Sequence, residues 1–108
     1  MKLNFEHAYD DRTFRKKENI GTLWTPKKTC TLLKNPLVPG LGVTYQVEPG
    51  ESLMLMDHYR LVQIHRWYCF LLAKDDESLL GYCTEKDAIE LLWPLREYEK
   101  TVESLATP

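Results

Sequence analysis

Missing from this chain is any compact set of metal or redox ligands. His58, His65 and the three cysteines, Cys30, Cys69 and Cys83, are the main candidates, but there is no Cys-x-x-Cys and no close histidine pair. A zinc site would have to be assembled wholly through the fold. An odd, widely spaced set of cysteines is no disulfide framework either, and the expectation is reduced, mostly buried thiols in a cytoplasm. No apolar run approaches the ~20 residues of a membrane-spanning helix. The opening Met1-Lys2-Leu3-Asn4-Phe5-Glu6-His7 turns polar too soon for a secretory signal. A large excess of one charge is missing as well, since 14 basic against 16 acidic side chains leave a net charge of -2. Nucleic-acid binders present a clearly basic face, and this balance does not ask for one. No cofactor motif is complete, so no cofactor is expected.

What the chain does contain is a rhythm of short apolar segments. At 108 residues it fits one domain with a single modest core, and 44% hydrophobic with 28% charged residues is ordinary for a globular protein. Residues 1–27 read as an N-terminal arm. Asp10-Asp11-Arg12 and Arg15-Lys16-Lys17 surround a lone Phe14, and a short helix and a loose arm both fit that composition. Arg15-Lys16-Lys17 and Lys27-Lys28 read as solvated charge, with a weak nucleic-acid patch as the other reading. Gly21 opens the short run Thr22-Leu23-Trp24-Thr25, which Pro26 breaks.

From Lys28 to Leu92 the pattern is that of about five short strands cut by turns. Lys28 to Leu33 reads as the first. Lys34 to Gly42, with Pro36, Pro39, Gly40 and Gly42, reads as a loop. Val43 to Val47 follows and ends at the turn signal Glu48-Pro49-Gly50. Ser52 to Met56 is apolar on both faces and so is expected to be covered. Leu61 to Ala73 reads as one bent strand or as two joined tightly. After Lys74-Asp75-Asp76-Glu77 the chain returns through Ser78 to Cys83.

Beyond Cys83 the period changes. Thr84 with Asp87 three residues on resembles a capping box. Ala88 to Leu92 fits either a helical turn or a short closing strand. Leu91, Leu95, Tyr98, Val102 and Leu105 recur at steps of four and three, an amphipathic stripe, with a new helix beginning near Pro94 and residues 93–108 read as a C-terminal helix and tail. That stripe either packs back on the open end of the barrel, the favoured reading, or pairs with a second copy to form a homodimer.

Pro49-Gly50-Glu51-Ser52-Leu53, Arg66-Trp67-Tyr68, Gly81-Tyr82-Cys83 and Ile89-Glu90-Leu91-Leu92 resemble the turns and strands of the Src-homology-3-like small barrels, most of all the bacterial variety. The resemblance spans residues 28–92. It implies a mainly β fold, an SH3-like barrel of about five antiparallel strands, here with an added C-terminal helix. Peptide-binding members carry a proline and a tyrosine before the last strand; this chain has Thr84-Glu85-Lys86-Asp87-Ala88 instead, which departs from the groove for proline-rich ligands. One enzyme shares the barrel type, the plasmid-encoded, trimethoprim-insensitive dihydrofolate reductase. Gln63-Ile64 followed by Trp67-Tyr68-Cys69 is similar to one of its strands. Its pore-lining Val-Gln-Ile-Tyr strand would fall at Ile89-Glu90-Leu91-Leu92, where the glutamine and tyrosine are absent.

Two functional expectations follow. The first is a non-enzymatic, cytoplasmic interaction domain that binds a protein partner through an aromatic surface, with Tyr45, Tyr59, His65, Trp67 and Tyr82 as the binding set, although Tyr45, Tyr59, Trp67 and Tyr82 fit a small core equally well. The alternative is a small oligomeric enzyme with its site at a symmetry axis. A nucleophile–base pair would have to come from Cys69 or Cys83 with His65. Strand alternation puts His65, Trp67, Cys69 and Leu71 on one face, but four residues of straight strand separate His65 from Cys69 by roughly 13 Å. No catalytic residue is therefore expected.

Overall fold

The computed structural model describes residues 4–34, 44–73 and 80–106; the side chains of Thr44, Tyr45, Leu80 and Ala106 lie outside that description. In chain order the elements are β1 (Phe5–His7), β2 (Leu23–Pro26), β3 (Cys30–Leu33), β4 (Thr44–Val47), β5 (Leu53–Leu61), β6 (Arg66–Ala73), β7 (Leu80–Thr84), α1 (Glu85–Leu91), β8 (Leu92–Pro94) and α2 (Leu95–Ala106). The expected turn at 74–77, and the expected loop at 34–42 apart from Lys34, lie outside the described residues.

The eight strands of the described residues belong to one antiparallel sheet, seven in the order β4-β3-β7-β6-β5-β2-β8 and β1 paired with β5 off that path, and the sheet curls into a half-barrel. The mainly β reading with a C-terminal helix therefore holds, but the described residues form eight strands rather than about five. The extra strands come from very short pieces. β1 and β2 both lie in the expected arm and share one edge of β5: Phe5 to His7 pairs with Leu61 to Tyr59, while Leu23-Trp24 pairs with Met54-Leu53. Segments this short have no strand signal of their own. They become strands because a nine-residue neighbour offers its unpaired edge.

β5 and β6 form the spine of the sheet. Alternation sends Cys69, Leu71 and Ala73 of β6 to the buried face, with Leu53 and Leu55 of β5 opposite Ala73 and Leu71. The register then shifts between Leu55 and Asp57, leaving Met56 as an extra, unpaired residue. This bulge reverses the facing of the rest of β5. Without it Asp57 would point into the core; with it His58 does, fully buried opposite Cys69. The expected long run from Leu61 to Ala73 is broken by a 3-10 turn at Val62–Ile64, closed by His65 in the left-handed region at φ 48°.

Cys30, Leu32, Val47, Leu53, Leu55, Cys69, Leu71 and Cys83 form the core, closed by Ala88 of α1 and Leu92 of β8. Phe14 and Trp24 pack on it from the N-terminal segment, their rings edge-on at 5.2 Å. All three cysteines are buried free thiols, as their number and spacing implied. The Thr84 hydroxyl caps α1 by accepting from the Asp87 N–H at 3.2 Å. Ala88 to Leu92 then serves both readings left open by the sequence, ending a helix and starting a strand.

The amphipathic stripe divides in two. In α2, Leu95 and Tyr98 are half-buried, and Tyr98 meets Trp93 edge-on at 5.9 Å. Gly50, at φ 96°, would bring an added Cβ within 3.0 Å of the Tyr98 hydroxyl, so only glycine both makes that turn and admits the helix. Val102 and Leu105 are exposed, Leu105 by 83%. Half-burial of a leucine sets the expected effect: Leu95→Ala should lower stability by about 1–2 kcal/mol, whereas Leu105→Ala should leave the melting temperature unchanged. Light scattering on both proteins reads the second possibility. A mass that halves in Leu105→Ala would show that the exposed half of the stripe joins two copies.

Candidate binding surfaces

The strand alternation that fills the core also exposes the opposite face of the sheet. There β5 supplies Tyr59, β6 Tyr68 and Phe70, and β7 Tyr82, with Phe5 of β1 laid over them. Phe70 and Tyr82 are 4.6 Å apart, Phe5 stacks on Tyr82 at 6.2 Å, and Tyr59 lies 6.1 Å from Phe5 and 6.4 Å from Tyr82. Tyr68 is buried beneath this cluster, while Phe5, Tyr59, Phe70 and Tyr82 are half-buried. Burial first, and then the nearby Asp57 carboxylate, holds the Tyr59 hydroxyl above its ordinary pKa; burial does the same for Tyr82. Both remain hydrogen-bond donors across the physiological range.

A polar network edges this patch. Tyr9 donates to Asp57 Oδ1 at 2.6 Å, His7 Nδ1 sits 3.2 Å from Asp57 Oδ2, and the His7 ring lies 5.0 Å from Tyr59. The hydrogen bond to Asp57 is the main cause of the Tyr9 hydroxyl being pushed up to about 12. Burial pushes the Asp57 carboxyl up, but hydrogen bonds from Tyr9 and the His58 N–H, with His7 beside it, leave it below the ordinary carboxylate value.

A separate cleft of about 690 Å³ opens at the end of the buried face, lined by Arg15, Ile64, His65, Arg66, Trp67, Glu85, Lys86, Ile89 and Glu90, among others. Trp67 is half-buried in it. The Arg15 guanidinium lies 4.8 Å from the Trp67 ring centre, and that of Arg60, its cross-strand neighbour, lies 5.8 Å away. Arg15 also donates to Glu85 at 2.7 Å and lies 3.7 Å from Asp10, with its side chain only 17% exposed. Arg15 is thus held in place, which corrects its reading as solvated charge. Arg60 Nη2 donates to His65 Nδ1. Since a guanidinium can only donate, His65 accepts at Nδ1 and carries its ring proton on Nε2.

Of the sequence-derived binding set, Tyr59 and Tyr82 meet on the open sheet face, and His65 and Trp67 meet in the cleft. Backbone register places Tyr45 opposite Leu32; its side chain lies outside the described residues. The set is therefore two surfaces, on opposite faces of the sheet. Phe5 and Phe70 were missed, although Phe70 alternates in step with Tyr68. Arg15 and Glu85 meet across 70 residues, and no local pattern announces such a pair.

No protein-family model matches the chain, and neither a curated protein nor a solved structure does. Cys69 is buried below the cleft with its thiol pushed up, first by burial, so it is not a ready nucleophile. Among the described residues, no group of three or more His, Cys, Asp or Glu is placed to hold a metal ion, and no helix is long and apolar enough to cross a membrane. Of Ile89-Glu90-Leu91-Leu92, aligned above with the reductase pore strand and with the last strand of the small barrels, the first three residues lie in α1 and only Leu92 begins a strand, β8.

Proposed function

We propose that this chain is a small, non-enzymatic interaction domain, cytoplasmic and of the bacterial SH3-like barrel type, that docks a protein partner on its open aromatic face. One observation carries the reading. Phe5, Tyr59, Phe70 and Tyr82 come from four different strands and form one continuous, half-exposed patch. Aromatic rings with few rotatable bonds provide large contact area at low entropic cost, and tyrosine is favoured at the energetic centre of interfaces. The two tyrosine hydroxyls add donors that remain protonated. The His7–Asp57–Tyr9 network supplies the polar rim that such a patch ordinarily has.

The test compares two variants on opposite faces of the sheet. In Tyr82→Lys the long stem still covers the neighbouring rings while the ammonium breaks the apolar surface. Lys86→Gln alters the cleft and serves as the control. Proteins captured from the native host by the parent chain should be lost with Tyr82→Lys and retained with Lys86→Gln, at matched melting temperatures. Capture that survives Tyr82→Lys would refute the assignment of this face.

A further inference from the structure

We propose that the cleft around Trp67 is a second binding site, for an organic anion: a carboxylate or phosphate monoester joined to an apolar body about the size of one ring. This inference is independent of the docking face, because Trp67 and Arg60 project from the opposite side of β6 and β5 to Tyr68 and Tyr59.

Size and lining come first. A volume of about 690 Å³ lies within the range of small-molecule sites, which are mostly apolar with a few convergent polar groups. Trp67 contributes a half-buried indole, with the Arg15 guanidinium over its ring at 4.8 Å, and Ile64 and Ile89, both about half exposed at 51% and 54%, add apolar lining.

The polar groups decide the sign of the ligand. Glu85 is already neutralised by Arg15 at 2.7 Å. Arg66 and Lys86 are exposed, and among the described residues neither makes an ion pair. His65 holds its proton on Nε2 because Nδ1 accepts from Arg60, so it too offers a donor. Arg60 itself stands outside the lining, with its guanidinium 5.8 Å from the Trp67 ring centre. Glu90 is the one opposing charge among the lining side chains whose partner is not already Arg15. The cleft therefore presents an excess of donors beside apolar side chains, and an acceptor-only head group on an apolar body complements it.

Four one-ring probes test this: phenyl phosphate, benzoate, benzyl alcohol and benzylamine, titrated while the indole signals of the three tryptophans are followed by NMR. Trp67→Phe assigns its signal. Phenyl phosphate or benzoate should shift the Trp67 signal and leave those of Trp24 and Trp93 in place. Binding by the anions should be at least about tenfold tighter than by benzyl alcohol, with benzylamine weakest, as expected for charge-assisted hydrogen bonds. The stronger of the two anions identifies the head group. Arg66→Gln combined with Lys86→Gln, both at exposed positions, should weaken the anion about tenfold, and Glu90→Gln should tighten it. Equal affinity for benzyl alcohol would overturn the proposal. So would anion affinity unchanged in the double variant, or shifts confined to Trp24 or Trp93.

Discussion

Leu71→Ala should lower the unfolding free energy by an amount in the upper half of the roughly 2–5 kcal/mol range for such truncations. Leu71 is fully buried on β6, opposite Leu55 on one side and Gly81 on the other. A glycine partner has no side chain to relax into the space a leucine leaves, so the cavity persists, and the cost of a truncation grows with the cavity that remains. For a domain of this size each kcal/mol corresponds to about 4–8 °C, so the melting temperature should fall by well over 10 °C. Urea unfolding should show a lower midpoint with an unchanged slope. Leu105→Ala, at an exposed position on α2, is the control. A loss below about 1 kcal/mol for Leu71→Ala would mean that the β6–β7 pairing is not the tightly packed centre of the core.

The middle of the fold was legible because period and punctuation agree there. Cys30, Leu32, Cys69, Leu71 and Cys83 alternate with outward residues, Pro49-Gly50 marks a turn, and Thr84 with Asp87 marks a helix start. Each of those signals is local. The missed strands, Phe5–His7 and Leu23–Pro26, and the closing strand Leu92–Pro94, which the sequence left as one of two readings, are three or four residues long, and their conformation is set by the edges they pair with. The bulge at Met56 was invisible for a related reason. Leu53 to Leu61 alternates acceptably in either frame, and only the choice of burying His58 or Asp57 fixes the frame. The turn at Val62–Ile64 contains neither glycine nor proline, so nothing marked it, and His65 takes the left-handed conformation instead.

The functional residues divide in the same way. Tyr59, Tyr82, His65 and Trp67 were legible as residue types suited to contact surfaces. Their partition into an aromatic face and a cationic cleft was not. That partition depends on the bulge and on the register of β5 with β6, which put Tyr59 beside Tyr68 and Arg60 beside Trp67. Arg15 shows the limit most clearly. A basic run in a charged segment reads as solvated, yet the loop from Ala8 to Gly21 crosses the end of the half-barrel and fixes this one side chain against Trp67 and Glu85.

Stability should fall as the pH drops from about 7 towards 5, and His58 should be the cause. Its ring is fully buried, with neither nitrogen hydrogen-bonded, edge-on to Phe14 at 5.7 Å and to Tyr9 at 6.4 Å. Burial, the largest influence, lowers its pKa below the ordinary value of 6.5. Asp57 opposes this shift, Arg15 adds to it, and the Lys16 backbone favours the charged form without reaching hydrogen-bond geometry. A base whose pKa is lowered on folding binds protons more readily when unfolded. Stability is therefore unaffected well above 6.5 and declines as pH falls through 6.5 towards the folded value, at up to about 1.4 kcal/mol per unit. Asp10 and Asp57, both lowered from 3.8, contribute stability that is lost only at more acid pH. His58→Leu should abolish the decline between about pH 7 and 5. At neutral pH it should be neutral or stabilising, because it removes two unsatisfied polar atoms at nearly constant volume. His7 and His65 are present in both proteins and cancel from the comparison. Thermal melts across that range decide the matter: a parallel decline in parent and variant would clear His58, and a variant much weaker at neutral pH would mean that its ring nitrogens are bonded in the native fold.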